Sequence, residues 1–322
     1  MNLCVITLVM LSWCCGRLTA KPIQTGNQTD SAVAEEIKRA RDALLWLQFF
    51  EYAEKNDTVE DCLSCEIEEC DGDCLVKLNN ILSQPLRDMK EFYRIHPLDG
   101  NLTEEVLKKM SEYRCKEKDI PEADDITNAK VTDDKAEDHV RVKRYSRLAN
   151  QRWDLQRTPV LTISFLDYLQ KFTPAQQEQI AAECATLWAK PSGLAFQIKP
   201  YSGATNIGIS HTYIDGPYNS LGSGMSPTPY SNGYSFLKLD RAEPWKLRNS
   251  SPGQGVSLKW AMCHEMGHNL DFGHSQDRSS IMYPSAGYGL EQLSPRDVQG
   301  VVNLYGRANG KTVVEQQYSP SQ

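Results

Sequence analysis

The chain has 322 residues, a formal net charge of −7, 24% charged and 40% apolar residues. That length allows two domains, and the composition is that of a folded chain. It holds no long basic tract and no aromatic–basic interleaving, which argues against a nucleic-acid partner. Past residue 20, no stretch is apolar enough to span a bilayer.

Residues 1–20, MNLCVITLVMLSWCCGRLTA, carry a short apolar run ending in small residues. This predicts a secretory signal cleaved near Ala20, and hence an extracellular chain. Four N-x-[ST] sequons, at Asn27, Asn56, Asn101 and Asn249, fit that route. Residues 32–54 have apolar positions at helical spacing, among them Ile37, Ala40, Leu44 and Leu47. VKLNNILSQPLRDMKEFYRI predicts a second helix with a break at Pro85. A third follows Thr103, which can cap it, with Glu104 and Glu105 in its first turn. The first part is thus a small three-helix unit.

Ten cysteines are present, and Cys4, Cys14 and Cys15 leave with the signal. Cys62, Cys65, Cys70 and Cys74 read as two disulfides with three open connectivities; a zinc knuckle is the competing reading. Cys115 has no obvious neighbour before the linker. Cys184 and Cys263 are the only cysteines of the second half, and both fall on predicted helices. A disulfide between them is expected, against the alternatives of two buried thiols or a bridge from either to Cys115.

Residues 121–140 form an acidic, apolar-poor linker that runs into RVKR, residues 141–144. Up to Arg144 the chain has 20 Lys and Arg against 29 Asp and Glu; after it, 15 against 13. Two pieces of unlike charge therefore meet at a basic tetrapeptide in an exposed linker. Cleavage after Arg144, leaving Tyr145 as a new N-terminus, is the favoured reading over a solvated basic patch.

The second part alternates strand-like and helical stretches. PVLTISFLDYL, LAFQIKPY, ATNIGISHTYI and YSFLKLD read as strands. A helix starts at Thr173-Pro174 and stops before Pro191. VSLKWAMCHEMGHNL reads as an amphipathic helix, and a last helix runs from its Ser294 cap to Gly306.

His264, His268 and His274 are three of only six histidines. On a helix His264 and His268 face the same way and can share one metal ion. Glu265 is turned away from ligation and suits a general base. His274 supplies a third nitrogen once the chain turns back. Three protein ligands and an open fourth position describe a catalytic zinc that activates water for attack on a peptide carbonyl, with Glu265 taking the proton.

HExxH with that third histidine, followed by SIMYP around Met282, resembles the metzincin zinc endopeptidases. Ser275, MYP and the segment LSQPLRDMKEFYRIHPLDGNLTEEVLKKM resemble the matrix metalloproteinase (matrixin) branch. The likeness covers about residues 76–306, with nothing matching a hemopexin-like domain after it. It implies an α+β chain: a signal (1–20), a three-helix propeptide (21–144), and a catalytic domain (145–322) with a mixed twisted sheet, long helices and a Met-turn. It also implies a secreted zymogen cut by a furin-like protease, protein substrates of the extracellular matrix, endogenous metalloprotease inhibitors as partners, and a monomer. Cys115, in YRCKEKD, stands where the latency cysteine of the family's PRCGVPD binds the zinc; Arg114, Cys115 and Asp119 match that pattern, while its two prolines and its glycine are replaced. Trp260, one turn before His264, stands where the family lines a substrate pocket, and an indole there implies a shallow one; an ordinary core tryptophan is the alternative.

Two departures stand out. Asp271 replaces the glycine of HExxHxxGxxH, at a position suited to positive φ. Ser223 and Lys238 replace two histidines of the family's second zinc site, leaving only His211, so one zinc is expected. Asp215, Asp240 and Glu243 match calcium-ligating positions, with solvated loop acids as the alternative. A binding protein on a protease fold, and a metzincin of another branch with narrow specificity, are the competing functions; the intact Glu265 and three ligands argue against the first.

Overall fold

The computed structural model describes residues 30–47, 62, 72–112, 114–115, 119, 151–217, 220–227, 233–251, 253–286, 290–308 and 314–316. The signal segment, Cys65, Cys70, RVKR and Tyr145 lie outside them. The chain divides into two compact units, Met1–Leu47 with Ala53–Met110, and Gln48–Tyr52 with Ser111–Gln322. Cys115 therefore belongs to the second unit, although the cleavage sequence lies further on at Arg144.

The first unit has helices α1 (Asp30–Leu47), α2 (Gly72–Tyr93) and α3 (Glu104–Met110). Ile37, Ala40, Ala43, Leu44 and Leu47 of α1 are buried, as are Leu78, Leu82, Leu86 and Met89 of α2. These are the stripes that 3.6-residue spacing requires. The break expected at Pro85 does not occur: α2 runs through it. Proline removes one backbone hydrogen bond there, but buried Leu82, Leu86 and Met89 hold both halves of the helix in one apolar face. Val106 N donates to the Thr103 hydroxyl at 3.3 Å, the expected cap. Cys62 is bridged to Cys74, which selects among the three connectivities.

The second unit contains β1 (Leu161–Phe165), α4 (Pro174–Ala189), β2 (Phe196–Ile198), β3 (Ile207–Thr212), β4 (Gly222–Gly224), β5 (Ser235–Asp240), β6 (Trp245–Lys246), β7 (Val256–Ser257), α5 (Leu258–Asn269), α6 (Pro295–Tyr305) and β8 (Val314–Gln316). The main sheet has the order β4-β5-β3-β1-β2-β8. Its pairs are parallel except the antiparallel edge β4–β5. Helix α4 packs on β2 and β8, α5 on β4 and β5, and the two helices on each other. This is the expected α+β architecture. Among the described residues no helix is long and apolar enough to cross a membrane.

Sequence spacing suggested an amphipathic α5, but all twelve of its residues are buried. The helix lies between the sheet, α4 and the chain that follows it, so its polar residues must find partners inside the protein. Asn269 does so by donating to the carbonyls of Met225 and Phe236 and to the Ser235 hydroxyl.

Candidate metal centre and its surroundings

Helix α5 starts at Ser257, whose hydroxyl accepts from Trp260 N at 3.1 Å. One turn on, Cys263 is bridged to Cys184 of α4, the pairing expected from the second half's two cysteines. Trp188 Nε1 donates to the Cys263 carbonyl at 3.0 Å, tying α4 to the turn that carries His264.

His264, His268 and His274 meet with Cys115 in one buried cluster whose ligand atoms all lie within 4.8 Å. His264 Nε2 is 3.1 Å from His268 Nε2 and 3.3 Å from His274 Nε2. Cys115 Sγ is 3.3 Å from His268 Nε2. A tetrahedral zinc with bonds of about 2.0–2.1 Å sets its nitrogen ligands about 3.3–3.4 Å apart, so the spacing fits.

The outer nitrogens fix each ring. His264 Nδ1 faces the Ile281 carbonyl at 2.7 Å, and His268 Nδ1 faces the Phe272 carbonyl at 2.6 Å. His274 Nδ1 lies 2.9 Å from Asp119 Oδ1. Each Nδ1 is thus turned to an oxygen and each Nε2 to the cluster, as metal-bound imidazoles require. Burial, then neighbouring histidines, hold His264 and His268 well below the usual range, so both rings stay neutral. Three buried imidazoles and a thiol suit zinc.

The turn around Met282 supplies one of these contacts. Met282 packs under the helix at Gly267, where an added Cβ would stand 2.3 Å from its sulfur. Ile281, beside it, presents the carbonyl to His264. Asp297 of α6 holds this turn, accepting from Ile281 N at 3.0 Å and from the Ser280 hydroxyl. Asp297 also completes the α6 cap, accepting from Ser294 N. Its hold on the turn needed the tertiary placement of residues sixteen and seventeen positions earlier.

Glu265 is fully buried next to His264, and a side chain at Gly222 would crowd its Cγ at 3.3 Å. Trp260 is 4% exposed, its ring 4.9 Å from that of His264.

Cys115 reaches the cluster next to Arg114, which makes two isolated β-bridges. Arg114 bridges Ser220 on one side and Ser285 on the other. Leu221 N donates to the Arg114 carbonyl at 2.8 Å, and Cys115 N to the Pro284 carbonyl at 2.9 Å. The Arg114 guanidinium then forks onto Asp119 at 2.8 and 3.0 Å. Burial alone would raise the Asp119 carboxyl, but Arg114 and His274 together pull it below its ordinary value.

Asp271 has φ +70, the left-handed conformation expected where the related motif has glycine. Ser223 and Lys238 face each other across β4–β5. His211 is buried with Nδ1 2.8 Å from Asp167 Oδ1, and burial lowers its pKa despite that carboxylate. The calcium candidates do not form a common cluster among the described residues. Asp240 is buried and has another role: its Oδ2 accepts from the backbone N–H groups of Ile214, Asp215 and Gly216, and its Oδ1 from Ala242 N. Asp215 Oδ1 accepts from Ser220 N at 3.1 Å. Four amides on one carboxylate leave it little capacity to ligate a cation.

Residues 152–306 match the matrixin family. Human matrilysin is 27% identical over 247 residues, 73% of this chain and 80% of matrilysin. A probable matrix metalloproteinase of invertebrate iridescent virus 3 is 34% identical over 134 residues, 39% of this chain and 36% of its own length. Human matrix metalloproteinase-26 is 29% identical over 157 residues, 45% of this chain and 58% of its own.

Proposed function

The chain belongs to the matrixin family of zinc metalloendopeptidases, and we propose that it is a secreted zymogen, cut to an active enzyme that hydrolyses extracellular matrix proteins. The observation that carries this is Cys115 Sγ standing among three imidazole nitrogens in a buried cluster. A thiol there would occupy the position a water needs on the metal, which would keep the uncut chain latent. Residues 1–20 act as the signal, 21–144 as the propeptide and 145–322 as the catalytic domain. A furin-like protease cuts after Arg144 and frees Tyr145.

His264, His268 and His274 would hold the zinc, whose Lewis acidity would supply carbonyl polarisation and a water nucleophile at neutral pH. Glu265 accepts the water's proton at its carboxylate and passes it to the departing amine. Once the propeptide leaves, a substrate strand can pair with the edges at Leu221 and Pro284 that Arg114 and Cys115 now use. Trp260 beside His264 makes the adjoining pocket shallow, which favours small side chains after the scissile bond. Asp215 and Glu243 remain the candidates for calcium, which this mechanism does not need.

Activating the purified full-length chain and assaying a peptide library tests the reading. Uncut protein should be inert, and cut protein active and inhibited by a zinc chelator. Cut Glu265→Ala should keep its zinc and lose about 10²–10⁴-fold in rate, the contribution of a positioned base. Equal activity before and after cleavage, or an active Glu265→Ala, would overturn it.

A further inference from the structure

Helix α5 ends in a Schellman turn. Phe272 N donates to the Gly267 carbonyl at 3.0 Å and Asp271 N to the His268 carbonyl at 2.9 Å. This closure needs a left-handed residue just past the helix, where glycine is usual. Asp271 adopts that conformation at φ +70, at a cost of about 1–2 kcal/mol for a residue with a Cβ. Glycine would avoid the cost but has no side chain.

The side chain is used. Asp271 is fully buried, and its Oδ1 accepts from the Ser226 hydroxyl at 3.0 Å. The same hydroxyl lies 3.3 Å from the His268 carbonyl. Ser226 follows β4, which runs along the cluster: an added Cβ at Gly224 would stand 2.3 Å from the Glu265 carbonyl and 2.9 Å from His268 Cβ. The turn that Asp271 shapes also delivers the Phe272 carbonyl to His268 Nδ1 at 2.6 Å.

We infer that Asp271 is a positioning residue for His268. Through Ser226 it fastens the turn bearing the Phe272 carbonyl to the β4 wall, so that His268 keeps its ring orientation and the wall keeps its distance from Glu265. A fixed outer acceptor makes an imidazole a better and better-aimed ligand. The inference rests on reading the histidine cluster as the zinc site.

The test uses full-length chain loaded with zinc, comparing wild type, Asp271→Asn, Asp271→Gly and Ser226→Ala. Zinc loss to a chelator and thermal midpoint are measured before cleavage, kcat and KM after it. Asp271→Asn keeps the left-handed preference and an acceptor oxygen, and should retain zinc like wild type. Asp271→Gly and Ser226→Ala should each release zinc about ten-fold faster, the low end for lost outer partners of a ligand, with kcat reduced more than KM is raised. Because both cut one tether, the double variant should be no worse than either alone. If the aspartate were only a strained substitute for glycine, Asp271→Gly would hold zinc as wild type does and melt higher; that result overturns the inference. Additive losses in the double variant overturn it too. Failure of the wild type to bind zinc would instead overturn the functional reading beneath it.

Discussion

Asp119 Oδ1 lies 2.9 Å from His274 Nδ1 while the same carboxylate is forked by Arg114, both acid and histidine being excluded from solvent. Cys115 and Asp119 therefore meet the cluster at two points: a thiol beside His268 and a carboxylate behind His274. Arg114 neutralises the acid, so its burial leaves no lone charge.

Asp119→Ala should weaken latency even though Cys115 is intact. It leaves the Arg114 guanidinium buried without its partner, a change of about 3–5 kcal/mol where such a pair is fully desolvated. The uncut variant should show residual peptidase activity and label faster with a thiol reagent at Cys115. A fully inert variant with an unreactive thiol would show that Cys115 alone keeps the chain latent.

Asp240 offers a second case. Its carboxylate gathers the amides of residues 214–216 and 242, holding the connection from β3 toward β4. Asp240→Ala strands these donors, and a buried unsatisfied group costs about 1–3 kcal/mol. The expected result is a lower thermal midpoint that added calcium does not restore. Full rescue by calcium would mean that cation ligation, not amide binding, is this residue's task.

Much of this was legible in the sequence because it depends on short spacings. The i, i+4 histidines, the Thr173 and Ser294 caps and the left-handed Asp271 are local, and each is found as expected. The Cys184–Cys263 bridge came from a count of remaining cysteines. What could not be read depends on residues brought together from afar. Asp297 reaching Ile281, Asp119 behind His274 and Asp240 under residues 214–216 have no signature in spacing, because a carboxylate reads alike whether it caps, ligates or pairs. Pro85 was misread for a related reason: its local cost is real, and only the buried face of α2 shows what outweighs it.

Glu183 predicts a pH effect. It accepts from Arg248, with one bond of 2.6 Å, and pairs with Lys259 at 3.0 Å, linking α4 to the start of α5. The Arg248 hydrogen bond, opposed by burial and aided by Lys259, lowers its pKa from 4.5 to about 2. A depressed carboxyl contributes stability above its unfolded pKa and loses it as pH falls through the folded one. The gap in stability between wild type and Glu183→Gln should be constant above pH 5, about 1 kcal/mol for so exposed a pair, and should close between pH 4.5 and 2. Denaturant unfolding at stepped pH measures it. A gap unchanged at pH 2 would remove the ion pair as its cause.

Reducing or deleting the Cys184–Cys263 bridge tests how firmly α4 anchors the helix that bears His264. The bridge closes a long loop, and such crosslinks contribute about 2–4 kcal/mol. Cys184→Ala with Cys263→Ala should lower the thermal midpoint of full-length protein yet leave Glu183–Lys259 and Trp188–Cys263 carbonyl contacts to hold the helices together. Non-reducing mass spectrometry of the wild type should find no free thiol at either position. Two free thiols would refute the bridge itself.

Gly267 and Met282 give the most direct check on how the turn supports the ligands. An added Cβ at Gly267 would stand 2.3 Å from Met282 Sδ and 2.9 Å from Trp188 Cζ2. Both neighbours are fully buried, and Trp188 is fixed by its bond to the Cys263 carbonyl. Gly267→Ala therefore overpacks the site even though alanine is the better helix former, by about 1 kcal/mol. Overpacking costs about 1–3 kcal/mol and should outweigh that gain. Because Met282 must move, Ile281 moves with it, and its carbonyl shifts away from His264 Nδ1. The variant should melt lower and lose zinc to a chelator faster. Adding Met282→Ala opens room for the new methyl, so it should recover part of the zinc retention while the loss of core packing keeps the midpoint low. A Gly267→Ala chain as stable and as zinc-retentive as wild type would show that the sulfur has space to withdraw, and that the turn does not transmit its position to His264.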